Sequence, residues 1–128
     1  MERLLIEQTK STPAIDFDAA QKILAIRGES YPENAFNFYE PVLAWLDDFI
    51  SQAGEAEPLQ MILNLPYFNT SSSKCIMMIL ERLEEAHEDG KQVTVNWYYD
   101  RDNESELECA EEFKEFVNLP FNIIPANP

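Results

Sequence analysis

Apolar positions switch between two periods along this chain, and the switches divide it into strands and helices. Residues 3–8, 13–17 and 22–27 read as short strands, the last two joined by a turn over Asp18-Ala19-Ala20-Gln21. In Ile23-Leu24-Ala25-Ile26 every position is apolar, which predicts a strand covered on both faces. Gly28 and Pro32 end it. Residues 34–52 carry Phe38, Val42, Trp45, Leu46 and Phe49 on one helical stripe, with Asn34 as the N-cap. Pro41 conflicts with a continuous helix, because an interior proline removes a backbone bond. The helix therefore starts near Glu40 or kinks there. Residues 53–58 read as a loop.

The second half alternates regularly. Residues 59–65 form an apolar strand, and residues 70–88 form a helix with Ile76, Ile79, Leu80, Leu83 and Ala86 inward. Glu81, Glu84, Glu85 and Glu88 point outward, and Gly90 supplies the C-cap. Val93, Val95 and Trp97 alternate against Thr94 and Asn96 in a strand over 92–98. A loop over 99–103, a helix over 104–116 with Leu107, Phe113 and Phe116 apolar, and a last strand over 121–124 complete the chain. Strands followed by β-α repeats predict one α/β domain over residues 1–128, with a mixed sheet of four or five strands and about three helices.

In such sheets the loops after the strand carboxyl ends share one edge, where functional sites gather. Three loops qualify, at 28–33, 66–73 and 99–103. They would bring Tyr31, Glu33 and Asn34 to Thr70, with Tyr99 and Arg101 close by. The middle loop holds Asn69-Thr70-Ser71-Ser72-Ser73 where a strand turns into a helix. Ser, Thr and Asn are ordinary N-caps, and one or two of these residues satisfy that need. Five in a row exceed it. A helix N-terminus stabilises negative charge, so a phosphate on one of these hydroxyls would sit well there.

Composition narrows the function. The 9 Lys+Arg against 24 Asp+Glu give a net charge of −15. A phosphate backbone needs a basic face, so nucleic acid is excluded as a partner, and an anionic membrane surface is disfavoured. A basic protein surface is the natural complement. At 45% hydrophobic and 12% aromatic, the 128 residues suffice for one core. Cys75 and Cys109 fall among apolar or small neighbours without a Cys-x-x-Cys pair, and read as small buried residues of a reducing, cytoplasmic compartment. His87, the only histidine, reads as a solvated surface residue. The acidic run 100–115 lacks calcium-loop order, and no metal or cofactor is implied. An enzyme using the hydroxyls at 70–73 as nucleophiles would need a base, a nucleophile elbow or a glycine-rich phosphate loop, and none is legible.

Gly28-Glu29-Ser30-Tyr31-Pro32-Glu33-Asn34, Tyr67-Phe68-Asn69-Thr70-Ser71-Ser72 and Thr94-Val95-Asn96-Trp97-Tyr98-Tyr99-Asp100 occur in that order. With Ser11-Thr12-Pro13-Ala14-Ile15 and Ala110-Glu111-Glu112-Phe113, this pattern resembles the SiaC family of bacterial regulatory phosphoproteins over nearly the whole chain. The resemblance implies a STAS-like fold, similar to antagonists of anti-sigma factors, and no catalytic activity. It implies phosphorylation at Thr70 by a Ser/Thr protein kinase, reversal by a PP2C-like phosphatase, and an unphosphorylated form that binds and activates an effector, a diguanylate cyclase. This chain adds Ser73 and Pro41 to the pattern. The partner-facing residues expected beside Thr70 are Tyr31, Glu33, Asn34, Asn69, Ser71, Ser72, Tyr99 and Arg101. Two alternatives stay open: an anti-sigma factor antagonist acting on transcription, and a small hydrolase built on the hydroxyl cluster. Oligomeric state is not legible.

Overall fold

The computed structural model describes residues 1–52 and 57–126, so most of the loop expected over 53–58 lies outside the described residues. Nine elements follow in the order β1 (Leu4–Ile6), β2 (Ala14–Asp18), β3 (Ile23–Arg27), α1 (Ala35–Gln52), β4 (Leu59–Asn64), α2 (Thr70–Glu88), β5 (Val93–Asp100), α3 (Glu104–Phe116) and β6 (Phe121–Ala126). All six strands join one sheet in sequence order. The expected four or five is thus one or two short. β1, too brief to stand alone, pairs antiparallel with β2 through Leu4↔Phe17 and Ile6↔Ile15. An Arg3–Asp16 ion pair of 2.8 Å and the Trp45 Nε1–H bond to the Glu2 carbonyl, 2.7 Å, hold the N-terminal stretch in place.

The β2–β3 hairpin turns on Asp18, whose carboxylate accepts from the amides of Ala20 and Gln21 at 3.0 and 3.1 Å. From β3 onward every pairing is parallel. Each β-α-β step advances one strand in the same direction, so right-handed crossovers place all three helices on one face. Burial agrees: Leu24, Ile26, Met61, Leu63, Val95 and Trp97 are buried on that face, while Gln60, Thr94 and Asn96 line an open cavity on the other. The expectation that β3 is covered on both faces is corrected accordingly. Ile23 is exposed, and Ala25 is buried by being small between Asp16 and Ile62 of the flanking strands.

α1 runs unbroken through Pro41 from Ala35, so the expected late start near Glu40 does not occur. Asn34 caps it, its side-chain oxygen accepting from the Asn37 amide at 3.1 Å. Pro41 lies on the exposed side, where water can satisfy the carbonyl left free one turn earlier. The inward stripe is Tyr39, Val42, Leu43, Leu46 and Phe49, with Phe38 and Trp45 at its margins. α2 packs beside α1, where Arg82 binds Asp47 at 2.8 Å. α3 covers β5 and β6. Its Phe113 is buried, but Phe116, apolar as well, is 74% exposed. β5 runs two residues further than expected, to Asp100, which removes Tyr99 from the loop. No helix among the described residues is long and apolar enough to cross a membrane.

Candidate functional site

The carboxyl ends of β3 and β4 lie side by side, and the two loops that leave them are laced by backbone bonds. The Gly28 amide donates to the Asn64 carbonyl at 2.9 Å, and the Ser30 amide to the Tyr67 carbonyl at 2.9 Å. The Asn69 amide returns a bond to the Ser30 carbonyl at 3.0 Å. Gly28 adopts φ +120°, a backbone conformation that favours glycine, and a Cβ there would also displace the end of the Gln8 side chain, 2.9 Å away. Across this lacing Tyr31 meets Tyr67 edge-on, ring centroids 5.8 Å apart. The structure therefore brings the 28–33 loop to the hydroxyl-rich turn before α2, as the topology predicts.

Asn69 is the N-cap of α2, with extended backbone and its side-chain oxygen accepting from the Ser72 amide at 2.9 Å. The Ser73 amide bonds the Asn69 carbonyl at 3.0 Å. The amides of Thr70 and Ser71, the first two of the helix, have no partner within it and face the end where the macrodipole is positive. Asn69→Ala is expected to cost about 1 kcal/mol of stability in urea denaturation, whereas Thr70→Ala leaves the midpoint nearly unchanged. Equal losses in both variants would contradict the assignment of Asn69 as the cap.

The four hydroxyls have three different fates. Thr70 and Ser71 are exposed. Ser73 is half-buried and donates to the Thr70 carbonyl at 2.8 Å. Ser72 is fully buried, 2.8 Å from the Ser30 hydroxyl, which lies 2.7 Å from the Tyr39 hydroxyl. Ser72, expected to face a partner, is thus a structural residue, because its helical position turns it toward the core. Ser30 and Tyr39 were not legible as site residues. The signal for Ser30 was a small polar side chain between glycine and proline at the end of a buried strand. For Tyr39 it was four-residue spacing from Ala35 and Leu43 on the apolar stripe.

Burial pushes the Tyr39 phenol pKa up to about 12, although the Ser30 bond acts the other way. An unfolded tyrosine ionises near pH 10, so between about pH 10 and 12 the unfolded chain releases a proton that the folded chain keeps. Stability conferred by neutral Tyr39 is complete below pH 10 and falls as pH rises through 12. Denaturant midpoints measured from pH 9 to 12 are expected to fall less in Tyr39→Phe than in the unmodified protein; parallel curves would contradict this.

The remaining candidates divide. Glu33 and Asn34 are exposed on the 28–34 segment, Asn34 serving as the α1 cap. Tyr99 does not join them: it lines a cavity of about 420 Å³ with Leu107, Lys114 and Ile123, on the α3–β6 side. Arg101 is exposed in the β5–α3 turn, and no hydrogen bond or ion pair among the described residues links it to either of the other loops. His87 is half-buried rather than solvated, with Nδ1 buried and unpaired. Cys75 is buried, but Cys109 is only half-buried. Glu106 turns inward, and its carboxyl pKa is raised by desolvation. Among the described residues no group of three or more His, Cys, Asp or Glu is placed to hold a metal ion. Among the described residues no carboxylate, histidine or lysine hydrogen-bonds the hydroxyls of residues 70–73; Ser72 bonds the Ser30 hydroxyl and Ser73 the Thr70 carbonyl.

Comparison with known proteins agrees with this geometry. The profile of the SiaC family, described as regulatory phosphoproteins, matches residues 6–126, and the chain belongs to that family. It is 45% identical over 123 residues to an uncharacterized protein of Pseudomonas aeruginosa strain UCBPP-PA14, covering 96% of each chain. It superimposes on the crystal structure of apo-SiaC from Pseudomonas aeruginosa with a TM-score of 0.90, at 45% identity, covering 97% of this chain and 99% of that one. A further match is to SiaC in the crystal structure of the diguanylate cyclase SiaD in complex with its activator SiaC, from the same organism, with a TM-score of 0.91, 45% identity, and 96% and 99% coverage.

Proposed function

We propose that this protein is a non-enzymatic partner switch whose unphosphorylated form binds and activates a diguanylate cyclase. Thr70 is its acceptor, phosphorylated by a Ser/Thr protein kinase and cleared by a PP2C-like phosphatase. The observation that carries the reading is the fate of the hydroxyl cluster. Thr70 and Ser71 stand exposed at the first two positions of α2, directly after the cap, while Ser72 is buried in a hydroxyl network and Ser73 is held by a backbone carbonyl; of the two exposed hydroxyls, the family's Asn-Thr-Ser-Ser motif favours Thr70. A kinase can reach Thr70 without unfolding the helix, and the helix start favours the charge it would leave there. Membership of a family of regulatory phosphoproteins supports the switch, and the solved complex of a relative with its cyclase supports the effector class. The absence of an assembled base beside residues 70–73, among the described residues, favours this reading over a hydrolase.

The test is phosphopeptide mapping after incubation with ATP and a Pseudomonas aeruginosa lysate. One phosphoryl group is expected on Thr70 and none on the same peptide of Thr70→Ala. Modification of Ser71 or Ser73 with Thr70 untouched would reject the assignment.

A further inference from the structure

β6 closes one side of the sheet, and no strand among the described residues pairs with its outer edge. The Val95 amide donates to the Pro120 carbonyl at 2.9 Å, and Val95 stands opposite Phe121 in a parallel ladder. That bond sets the alternation along β6. Asn122, Ile124 and Ala126 turn their backbone groups to β5, while Phe121 and Ile123 each turn an N–H and a C=O outward. Pro125 turns out a carbonyl only. Soluble proteins guard such edges with short strands, charges or proline. β1, at the other edge, has three residues and follows Arg3. β6 has six, Phe-Asn-Ile-Ile-Pro-Ala, with no charge among them and a guard only at Pro125. Beside this edge Ile123 lines the cavity of about 420 Å³, against the stripe of α3 formed by Leu107, Glu111, Lys114 and Glu115. Phe113, which meets Phe68 ahead of α2, lies on another side of that helix.

We propose that the outer edge of β6 takes up an extended, basic segment of a partner protein as a seventh strand. The backbone of that segment bonds Phe121 and Ile123. Its alternate residues face the helix side, so one apolar side chain seats on Tyr99, Leu107 and Ile123, and a Lys or Arg two residues along stands beside Glu111 and Glu115. Charge selects this occupant. α3 carries six glutamates and one lysine, in a chain of net charge −15, so a basic segment is drawn to it. A second copy of this chain, paired through its own β6, would instead set two acidic helices side by side. Neither the phosphorylated residue nor the identity of the effector enters this assignment.

The probe is a pool of acetylated and amidated heptapeptides, Thr-X-Thr-Lys-Thr-Arg-Thr with X as Val, Leu, Ile or Phe, titrated into the isotope-labelled full chain and followed by amide resonances. Saturable binding is expected, with a dissociation constant at or below about 1 mM. The largest shifts are expected at the outward amides of Phe121 and Ile123, and smaller ones at Asn122 and Ile124, whose amides are engaged with β5. Peptides with Glu in place of Lys and Arg are expected to bind on the order of tenfold more weakly. So are the variants Glu111→Lys, an exposed side chain on the cavity rim, and Ile123→Pro, which removes an N–H that no bond within the sheet uses. The shift pattern in the unmodified protein needs neither variant to fold. Binding that does not saturate, shifts spread evenly over inward and outward amides, or affinity kept within twofold in both variants overturns the proposal. Concentration-dependent protection of the Phe121 and Ile123 amides without peptide makes a second copy the occupant and overturns it as well.

Discussion

Phosphorylation of Thr70 is expected to weaken effector binding on the order of a thousandfold, with Thr70→Ala binding constitutively and Thr70→Asp binding poorly. A phosphoryl group adds about −1.5 to −2 charge at neutral pH. Within this chain that charge is well placed: the Thr70 and Ser71 amides lack helical partners, and Lys74 follows one turn later. The fold therefore survives modification, and near-identical circular dichroism of the two forms is expected. At an interface the balance reverses. A partner surface packed against a neutral Thr70 must strip water from the phosphate or meet it with like charge, a penalty of several kcal/mol by order of magnitude. Since each ~1.4 kcal/mol is tenfold in affinity, a penalty of about 4 kcal/mol gives the stated loss. Glu29 and Glu33, exposed on the neighbouring loop, add to the repulsion of any acidic partner group. Calorimetric titration of the unphosphorylated and phosphorylated protein and of the two variants into the cyclase reads the effect directly. Equal affinity for phosphorylated and unphosphorylated protein would remove Thr70 as the switch, whichever kinase acts on it.

The second large effect is on stability. Trp97→Ala is expected to lower the unfolding free energy by about 3–5 kcal/mol. Trp97 is 1% exposed on the helix face of β5 and lies at the centre of an aromatic cluster. It stacks on Phe113 at 5.1 Å and on Phe121 at 6.2 Å, and meets Phe68 edge-on at 6.3 Å. Those rings belong to α3, to β6 and to the turn before α2, so one side chain ties the acceptor turn to the third helix. Truncation leaves a cavity where four elements meet, and domains of this size retain only about 5–15 kcal/mol in total. Guanidinium denaturation is the measurement; a loss under about 1 kcal/mol would show that the cluster is not integral to the core.

The sequence was most legible where local rules act alone. The α2 boundaries, the Asn34 cap of α1 and the alternation of Val93, Val95 and Trp97 follow from periods of 3.6 and 2 and from capping chemistry, each contained within a few neighbouring residues. The chain's excess of carboxylates and the position of a hydroxyl-rich turn between strand and helix are likewise sequence properties. So is the family resemblance, which rests on three ordered motifs.

Tertiary structure decided the rest, because it turns on partners distant along the chain. β1 is a three-residue strand whose pairing depends on β2, so its place in the sheet could not be counted from its own pattern. Asn69 to Ser73 look interchangeable as polar residues, yet about 100° of helical rotation separates Ser71 in water from Ser72 in the core. What makes a buried hydroxyl tolerable at position 72 is Ser30, 42 residues earlier, itself bonded to Tyr39. Phe116 shows the converse. It is apolar like Phe113 three residues earlier, yet Phe113 is buried and the Phe116 ring, on the last residue of α3, is left in water. Local pattern thus decided which segments are helix and strand and where the hydroxyl-rich turn lies. Only the packed structure assigned individual side chains to core or open surface, because burial is a relation between segments and no single segment carries it.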